Sequence, residues 1–173
     1  MPSPAANCPT PAVAAVPSPA KSGANGPNIN PRTGLSTDYL NHFMEAVMVL
    51  EMVAAMPECV DDLRAWRPKT YAEHFAASRF SNREHVIAHY EAADPSVRRA
   101  LDHASEMLNA ITERALELVL QNLGTVEVEA IVRRALERLR PLIARTAAII
   151  NGTTSDAADP DGPQAAIDAI FGR

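Results

Sequence analysis

The sequence predicts an all-α protein, a small helical bundle with a long antiparallel helical hairpin, a disordered N-terminal arm and a flexible C-terminal tail. Three observations predict this class. Apolar residues recur at helical spacing over most of residues 38–151. Prolines are concentrated in the first 31 residues, outside that periodic region. Runs of β-branched residues are short, so the sequence contains no strand candidate.

The first 35 residues are predicted to form a disordered arm. Most of the chain's 14 prolines lie here, among Ala, Ser, Asn and Gly and without any aromatic side chain. Such a composition buries too little apolar surface to offset the conformational entropy lost on folding. The chain therefore divides into this arm (1–35), a helical domain (36–151), a polar acidic linker (152–162) and a short amphipathic peptide (163–173).

Charge and cysteine content limit the partners and the compartment. A formal net charge of −5 disfavours nucleic acid as the main partner, because phosphate binding depends on Lys and Arg. No apolar run approaches the roughly 20 residues of a transmembrane helix, and prolines interrupt every apolar run before the first charged side chain, Lys21. Cys8 and Cys59 are interpreted as reduced thiols. We expect a cytoplasmic protein with no membrane span and no cofactor.

The first helix is predicted to begin near Asp38 and to end at Pro57. Ser36, Thr37 and Asp38 are good helix-start residues, and proline cannot continue a helix. Within it, a methionine stands at every fourth position, namely Met44, Met48, Met52 and Met56. Thioether side chains suit adaptable partner surfaces. Core packing is the favoured interpretation of this stripe, because Leu40, Phe43 and Val47 share much of the same face.

Short helices and then a hairpin are predicted next. The short helices cover Asp61–Trp66, Tyr71–Phe80 and Asn82–Ala92, with Ser81 as the cap between the last two. The two long helices of the hairpin lie within Val97–Ile150. Asp94 and Pro95 indicate the start of the first long helix, because Asp accepts backbone N–H bonds and Pro presets the first helical φ angle.

The turn and the core of the hairpin have their own signals. Gly124 suits the left-handed position that ends a helix, and Thr125 caps the second arm. Core-type residues alternate at spacings of four and three in both arms, as in a coiled coil: Val97, Leu101, Ala104, Leu108, Ile111, Ala115 and Leu118, then Val128, Val132, Ala135, Leu139, Leu142, Thr146 and Ile149. We expect the two seams to pack together and the hairpin to form a homo-oligomer.

His42 is the candidate for catalysis. It lies in the first helix within the segment YLNHFMEAV. A histidine on the surface of a helical bundle is the nucleophile of phosphotransfer domains. Those domains carry a Lys and small residues after the histidine, whereas Phe43, Met44 and Glu45 follow here. The alternative is a solvated or capping histidine.

His85 and His89 are the candidate metal ligands. They lie four residues apart in EHVIAHYE, and this spacing places both on one face of a helix. The zinc hydrolase motif has Glu directly after the first His, where this chain has Val86. Half-exposed imidazoles without a metal are the alternative interpretation.

The last segment resembles a known class of recognition peptide. In GPQAAIDAIFGR, the side chains of Ile167, Ile170 and Phe171 form one apolar helical face beside Gln164 and Asp168. The segment resembles the Ser-Gln-x-x-Ile-Asp-x-Leu-Leu type of peptide by which the flagellar motor switch protein binds a response regulator, and the chemotaxis phosphatase family carries a related peptide. Gln164, Ile167 and Asp168 match directly. The resemblance implies a response regulator as the partner.

The hairpin lacks the Asp and the Thr-Gly-Gln run of that phosphatase family, and Pro163 replaces the Ser of the peptide. The sequence also contains no glycine-rich phosphate-binding loop and no Ser-centred nucleophile elbow. These absences disfavour an enzyme. The sequence therefore predicts a helical regulatory or adaptor protein in bacterial signalling. The alternatives are a His-dependent phosphotransfer domain through His42 and a metal-binding bundle through His85 and His89.

Overall fold

The fold comes from a computed structural model that describes residues 28–154 and 162–172. The predicted all-α class is confirmed. The helices found in these two ranges are α1 (Asn41–Ala55), α2 (Val60–Ala65), α3 (Tyr71–Ala76), α4 (Arg83–Ala92), α5 (Pro95–Gln121), α6 (Glu127–Ile150) and α7 (Pro163–Phe171). None of them is long and apolar enough to cross a lipid bilayer.

The predicted antiparallel hairpin is formed by α5 and α6. Asp94 is the N-cap of α5 and accepts a hydrogen bond from the backbone N of Ser96 at 2.8 Å. The turn contains Gly124 at φ +78°, and Thr125 Oγ1 accepts from the backbone N of Glu127 at 3.3 Å. The 27 residues of α5 make it about 40 Å long. The Asp94 cap thus marks the start of α5, and Gly124 and Thr125 mark the turn between the two arms.

The two predicted seams supply much of the core. Leu101, Leu108 and Leu139 are at most 1% exposed. Leu118 and Leu142, at the edges of the seams, are half-buried and pack against the same core. Since α1 and α7 also lie against the pair, the apolar stripes of the hairpin are covered within one chain.

Helix α3 is shorter than the sequence pattern predicts. It ends at Ala76 instead of Phe80, and Asn82 replaces the predicted Ser81 as the residue that precedes α4. A capping box starts α3: Thr70 Oγ1 accepts from Glu73 N at 3.3 Å, and Glu73 Oε2 accepts from Thr70 N at 2.8 Å. These reciprocal bonds hold the first turn of α3 in place.

The loop before α1 is part of the folded domain. Ile29 and Ser36 form an isolated antiparallel bridge, Leu35 is completely buried, and Thr33 Oγ1 donates to the carbonyl oxygen of Ile150 at 2.5 Å. The predicted arm of residues 1–35 is therefore wrong for residues 28–35. Composition does not indicate this, because the segment is held by contacts with distant parts of the chain, such as the bond from Thr33 to Ile150. The prediction for residues 1–27, including Cys8, lies outside the described residues.

The C-terminal helix α7 packs on α5 and α6. Ile170 is 8% exposed, and Phe171 is half-buried against the core. The sequence predicts a flexible C-terminal tail. That prediction is wrong for α7, because its apolar face is already covered by the bundle. The predicted flexibility of the linker concerns mainly residues 155–161, which lie outside the described residues.

Candidate functional site

An apolar groove lies on the surface between α1 and α6. Its volume is about 970 Å³. Its lining, which we call the methionine groove, comprises Met44, Glu45, Val47, Met48, Glu51, Met52, Ala55 and Met56 from α1, and Arg140, Ile143, Ala144 and Ala147 from α6. Most of these side chains are apolar, so the groove offers hydrophobic surface to solvent.

The groove exists because α1 is apolar over more of its circumference than the bundle can cover. One side of α1 buries Phe43, Leu50 and Val53 in the core. The neighbouring side carries the methionine stripe, where Met44 is 47% exposed and Met48 is 37% exposed. The core interpretation of the stripe is therefore wrong for these two residues. The sequence did contain a signal for this exposure: the apolar residues of α1 cover a wider arc of the helix than one buried face can accommodate.

An ion pair connects the two helices that line the groove. Arg140 of α6 bonds Glu51 of α1, and both side chains remain about half exposed. Beyond this pair a second depression continues along α6. It is lined by Ala54, Val132, Leu136 and Pro141 and by the charged residues Glu129, Arg133, Glu137 and Arg140. The exposed pair contributes little stability and can rearrange at low cost. The two depressions together extend along α6 from Glu129 to Ala147, about 27 Å along the helix axis.

His42 lies inside the molecule. Its side chain is 4% exposed, and its ring stacks on Trp66 with centroids 4.8 Å apart and planes 14° apart. Trp66 Nε1 donates to the backbone carbonyl of His42 at 3.3 Å. Among the described residues, none forms a hydrogen bond with His42 Nε2. The expected surface position is wrong, because Trp66 at the end of α2 covers the ring, a contact that the sequence pattern does not indicate.

The surroundings of His42 disfavour its charged form. Burial lowers the pKa of His42 to about 4, and the nearby positive charges of Lys69 and His74 act in the same direction. Burial also lowers the pKa of His74. His42 is therefore a neutral, enclosed imidazole at physiological pH. Such a ring does not present a nucleophilic nitrogen to a phosphorylated partner.

His85 and His89 do come together on α4. Their Nε2 atoms are 3.0 Å apart and the rings meet edge to face, with centroids 4.4 Å apart. His85 is exposed and His89 is half-buried. In the described ranges no cluster of three or more His, Cys, Asp or Glu side chains is suited to hold a metal ion. The predicted pair is thus in contact, with no third protein ligand from those ranges.

The tail residues predicted to bind a partner are divided between solvent and the bundle. Gln164 is exposed, and its Nε2 donates to Asp168 Oδ1 within α7 at 2.9 Å. Ile167 and Phe171 are half-buried, and Ile170 is buried. Binding through the whole apolar face would therefore require α7 to leave α5 and α6.

The docking of α7 can be tested with Ile170→Ala. We expect the free energy of unfolding to fall by about 2 kcal/mol, at the low end for buried aliphatic truncations, because α7 can detach without global unfolding. Hydrogen exchange of the amides in Pro163–Phe171 should accelerate. The exposed Ala165→Ser is the matched control. Fast exchange in the unchanged protein, with no loss of stability in Ile170→Ala, would contradict the docked position.

Comparison with protein-family models gives no match to this chain, and comparisons with curated proteins and with solved structures give none either.

Proposed function

We propose that the protein is a helical adaptor that binds an amphipathic helix of another protein in the methionine groove. The observation that carries this proposal is the exposure of Met44 and Met48 in an apolar groove of about 970 Å³. Exposed apolar surface of this kind costs solvation free energy and is typical of interaction sites. Methionine side chains are flexible and polarisable, so they adapt to the apolar side chains of a ligand.

The shape of the groove favours a helix as the ligand. The stripe from Met44 to Met56 runs about 18 Å along α1, and the wall formed by α6 runs beside it. A ligand helix of about three turns covers this length and presents apolar anchors at positions i, i+3 or i+4, and i+7. Met44 and Met48 are exposed at the edge of the groove, whereas Met52 and Met56 are half-buried at its floor. The apolar side chains of the ligand helix would therefore contact methionines both at the edge and at the floor.

Charges at the edges restrict the ligand further. The α1 edge carries Glu45 and Glu51, and the α6 edge carries Arg140. A ligand helix with basic residues along its α1 side and an acidic residue near Arg140 would pair with both edges. The exposed pair between Arg140 and Glu51 can exchange for such contacts at little cost. Charge complementarity at a rim mainly improves specificity and the association rate.

Two expectations from the sequence remain predictions beside this proposal. A response regulator as the partner rests on the resemblance of Gln164–Phe171 to known recognition peptides. Self-association rests on the hairpin, but the seams of α5 and α6 are covered within the chain. A second copy would therefore use the methionine groove, and its presence there is one outcome of the test below.

The test uses a synthetic amphipathic helix with Leu and Met anchors and the charge pattern described above. We expect it to bind the unchanged protein and to shift the methyl NMR signals of Met44 and Met48. Met48→Glu should weaken binding at least about 10-fold, because it places a carboxylate in the apolar lining against which the ligand packs. Val126→Glu is the matched control, since Val126 is 89% exposed and lies outside the methionine groove.

Two results would contradict the proposal. The first is equal binding to Met48→Glu and to the unchanged protein. The second is a concentration-dependent dimer in sedimentation that Met48→Glu dissociates, because the occupant would then be a second copy of this chain. The melting temperature of Met48→Glu should stay close to that of Val126→Glu, so that a loss of binding is not a loss of fold.

A further inference from the structure

We propose that His85 and His89 form a two-histidine clip for one first-row transition-metal ion, with Cu²⁺ bound most strongly. This site lies on α4, which does not line the methionine groove, and it is independent of the proposed function. The key observation is the distance of 3.0 Å between the two Nε2 atoms. Both rings contribute the same nitrogen to this contact, although each ring has two nitrogens.

The separation of the two nitrogens matches chelation at adjacent positions of one metal. Histidine nitrogens bind such metals at about 2.0–2.1 Å, so two of them 3.0 Å apart subtend an angle of about 94° at the ion. This angle is close to the 90° of square-planar or octahedral coordination and smaller than the tetrahedral value of about 109°. Tetragonal sites with nitrogen and oxygen donors favour Cu²⁺ and Ni²⁺, and Cu²⁺ has the highest affinity in the divalent series.

The helix holds the two rings in this arrangement before any metal arrives. Residues four apart lie one above the other on α4, whose position is fixed by the fully buried Val86. The loop before α1 packs beside His89: a Cβ atom on Gly34 would lie 3.5 Å from His89 Nδ1. His85 is exposed, so the remaining coordination positions are accessible to water or to a donor from another molecule.

A hydrogen bond between the two imidazoles explains the same distance without a metal. In that case one Nε2 carries the proton and the other accepts it. A metal ion requires both Nε2 lone pairs, and each neutral ring then keeps its proton on Nδ1. The two explanations therefore differ in the tautomer of one ring and in the effect of added metal.

In the experiment, untagged full-length protein is titrated with CuSO₄. Calorimetry measures the stoichiometry and affinity of binding, and electron paramagnetic resonance identifies the copper ligands. We expect one Cu²⁺ per chain and hyperfine coupling to two imidazole nitrogens. His85→Gln and His89→Gln should each weaken binding at least about 10-fold and leave coupling to a single histidine. His103→Gln, on α5, is the matched control and should bind Cu²⁺ like the unchanged protein. Melting curves without metal should be the same for all variants.

The added metal should also raise the melting temperature of the unchanged protein and of His103→Gln, and leave His85→Gln and His89→Gln unaffected. Cu²⁺ binding that survives in both of these variants would come from other donors and would overturn the proposal. Absence of two-nitrogen coupling in the unchanged protein would overturn it as well, and would leave a hydrogen bond between the imidazoles as the role of the pair.

Discussion

Replacing Leu108 or Leu139 by alanine is expected to lower the free energy of unfolding by about 2–5 kcal/mol. Both side chains are at most 1% exposed, and they lie in the seams through which α5 and α6 pack. Truncation removes buried methyl groups and leaves a cavity that two long, capped helices cannot close by moving. Urea unfolding followed by circular dichroism measures the change.

Arg133→Ala is the control for these substitutions. Arg133 is exposed on α6, so its truncation should change the free energy of unfolding by less than about 0.5 kcal/mol. If the two leucine variants were as stable as Arg133→Ala, the hairpin seam would not be the main core of the domain.

Acidification is expected to destabilise the protein between about pH 6.5 and pH 4 through His42. Because the folded-state pKa of His42 is lowered to about 4, the unfolded chain binds this proton more readily than the folded chain. The stability is therefore complete above pH 6.5 and decreases as the pH falls toward 4. A shift of this size corresponds to about 3 kcal/mol. His74, whose pKa is also lowered, adds to the loss in the same direction.

His42→Phe isolates this effect. The variant keeps an aromatic ring against Trp66 and removes the titrating group, so the slope of stability against pH should become much smaller between pH 6.5 and 4. Proton NMR titration of the imidazole should give the pKa of His42 directly in the unchanged protein. An unchanged slope in His42→Phe, or an imidazole that titrates near 6.5, would show that the ring is accessible to water.

The hairpin was predictable because its signals are local. Asp94 and Pro95 begin α5, Gly124 supplies the left-handed turn, and the four-three spacing of the seams marks the buried face of each arm. None of these features depends on a distant part of the chain. The bounds of α3 were less accurate, because its short length gives few periodic residues.

Other features depend on which parts of the chain meet in space. The exposure of Met48 could not be separated from core packing, since periodicity shows that a face is apolar without showing what covers it. Leu35 ends a proline-rich segment, and Thr33, two residues before it, bonds to Ile150 at the end of α6. His42 was interpreted as a surface residue because Trp66, which covers it, lies 24 residues away.

The candidate sites also divide into features with a local sequence signal and features that depend on distant contacts. The contact between His85 and His89 follows from a spacing of four on one helix, so the sequence was sufficient for it. The apolar face of α7 was also recognised, but its position against α5 and α6 was not. A short amphipathic helix presents the same pattern to its own bundle and to a partner, and only the three-dimensional neighbours distinguish the two.

The bond between Thr33 and Ile150 also constrains the order of folding during synthesis. It joins residues 117 positions apart, near the two ends of the helical domain. At translation rates of about 5–20 residues per second, the segment containing Thr33 leaves the ribosome about 6–23 s before its acceptor does. The α5–α6 hairpin relies on nearer contacts, which form quickly. The Thr33–Ile150 bond consequently cannot form on the nascent chain until α6 is complete, so the loop before α1 reaches its final contacts after the hairpin has been synthesised.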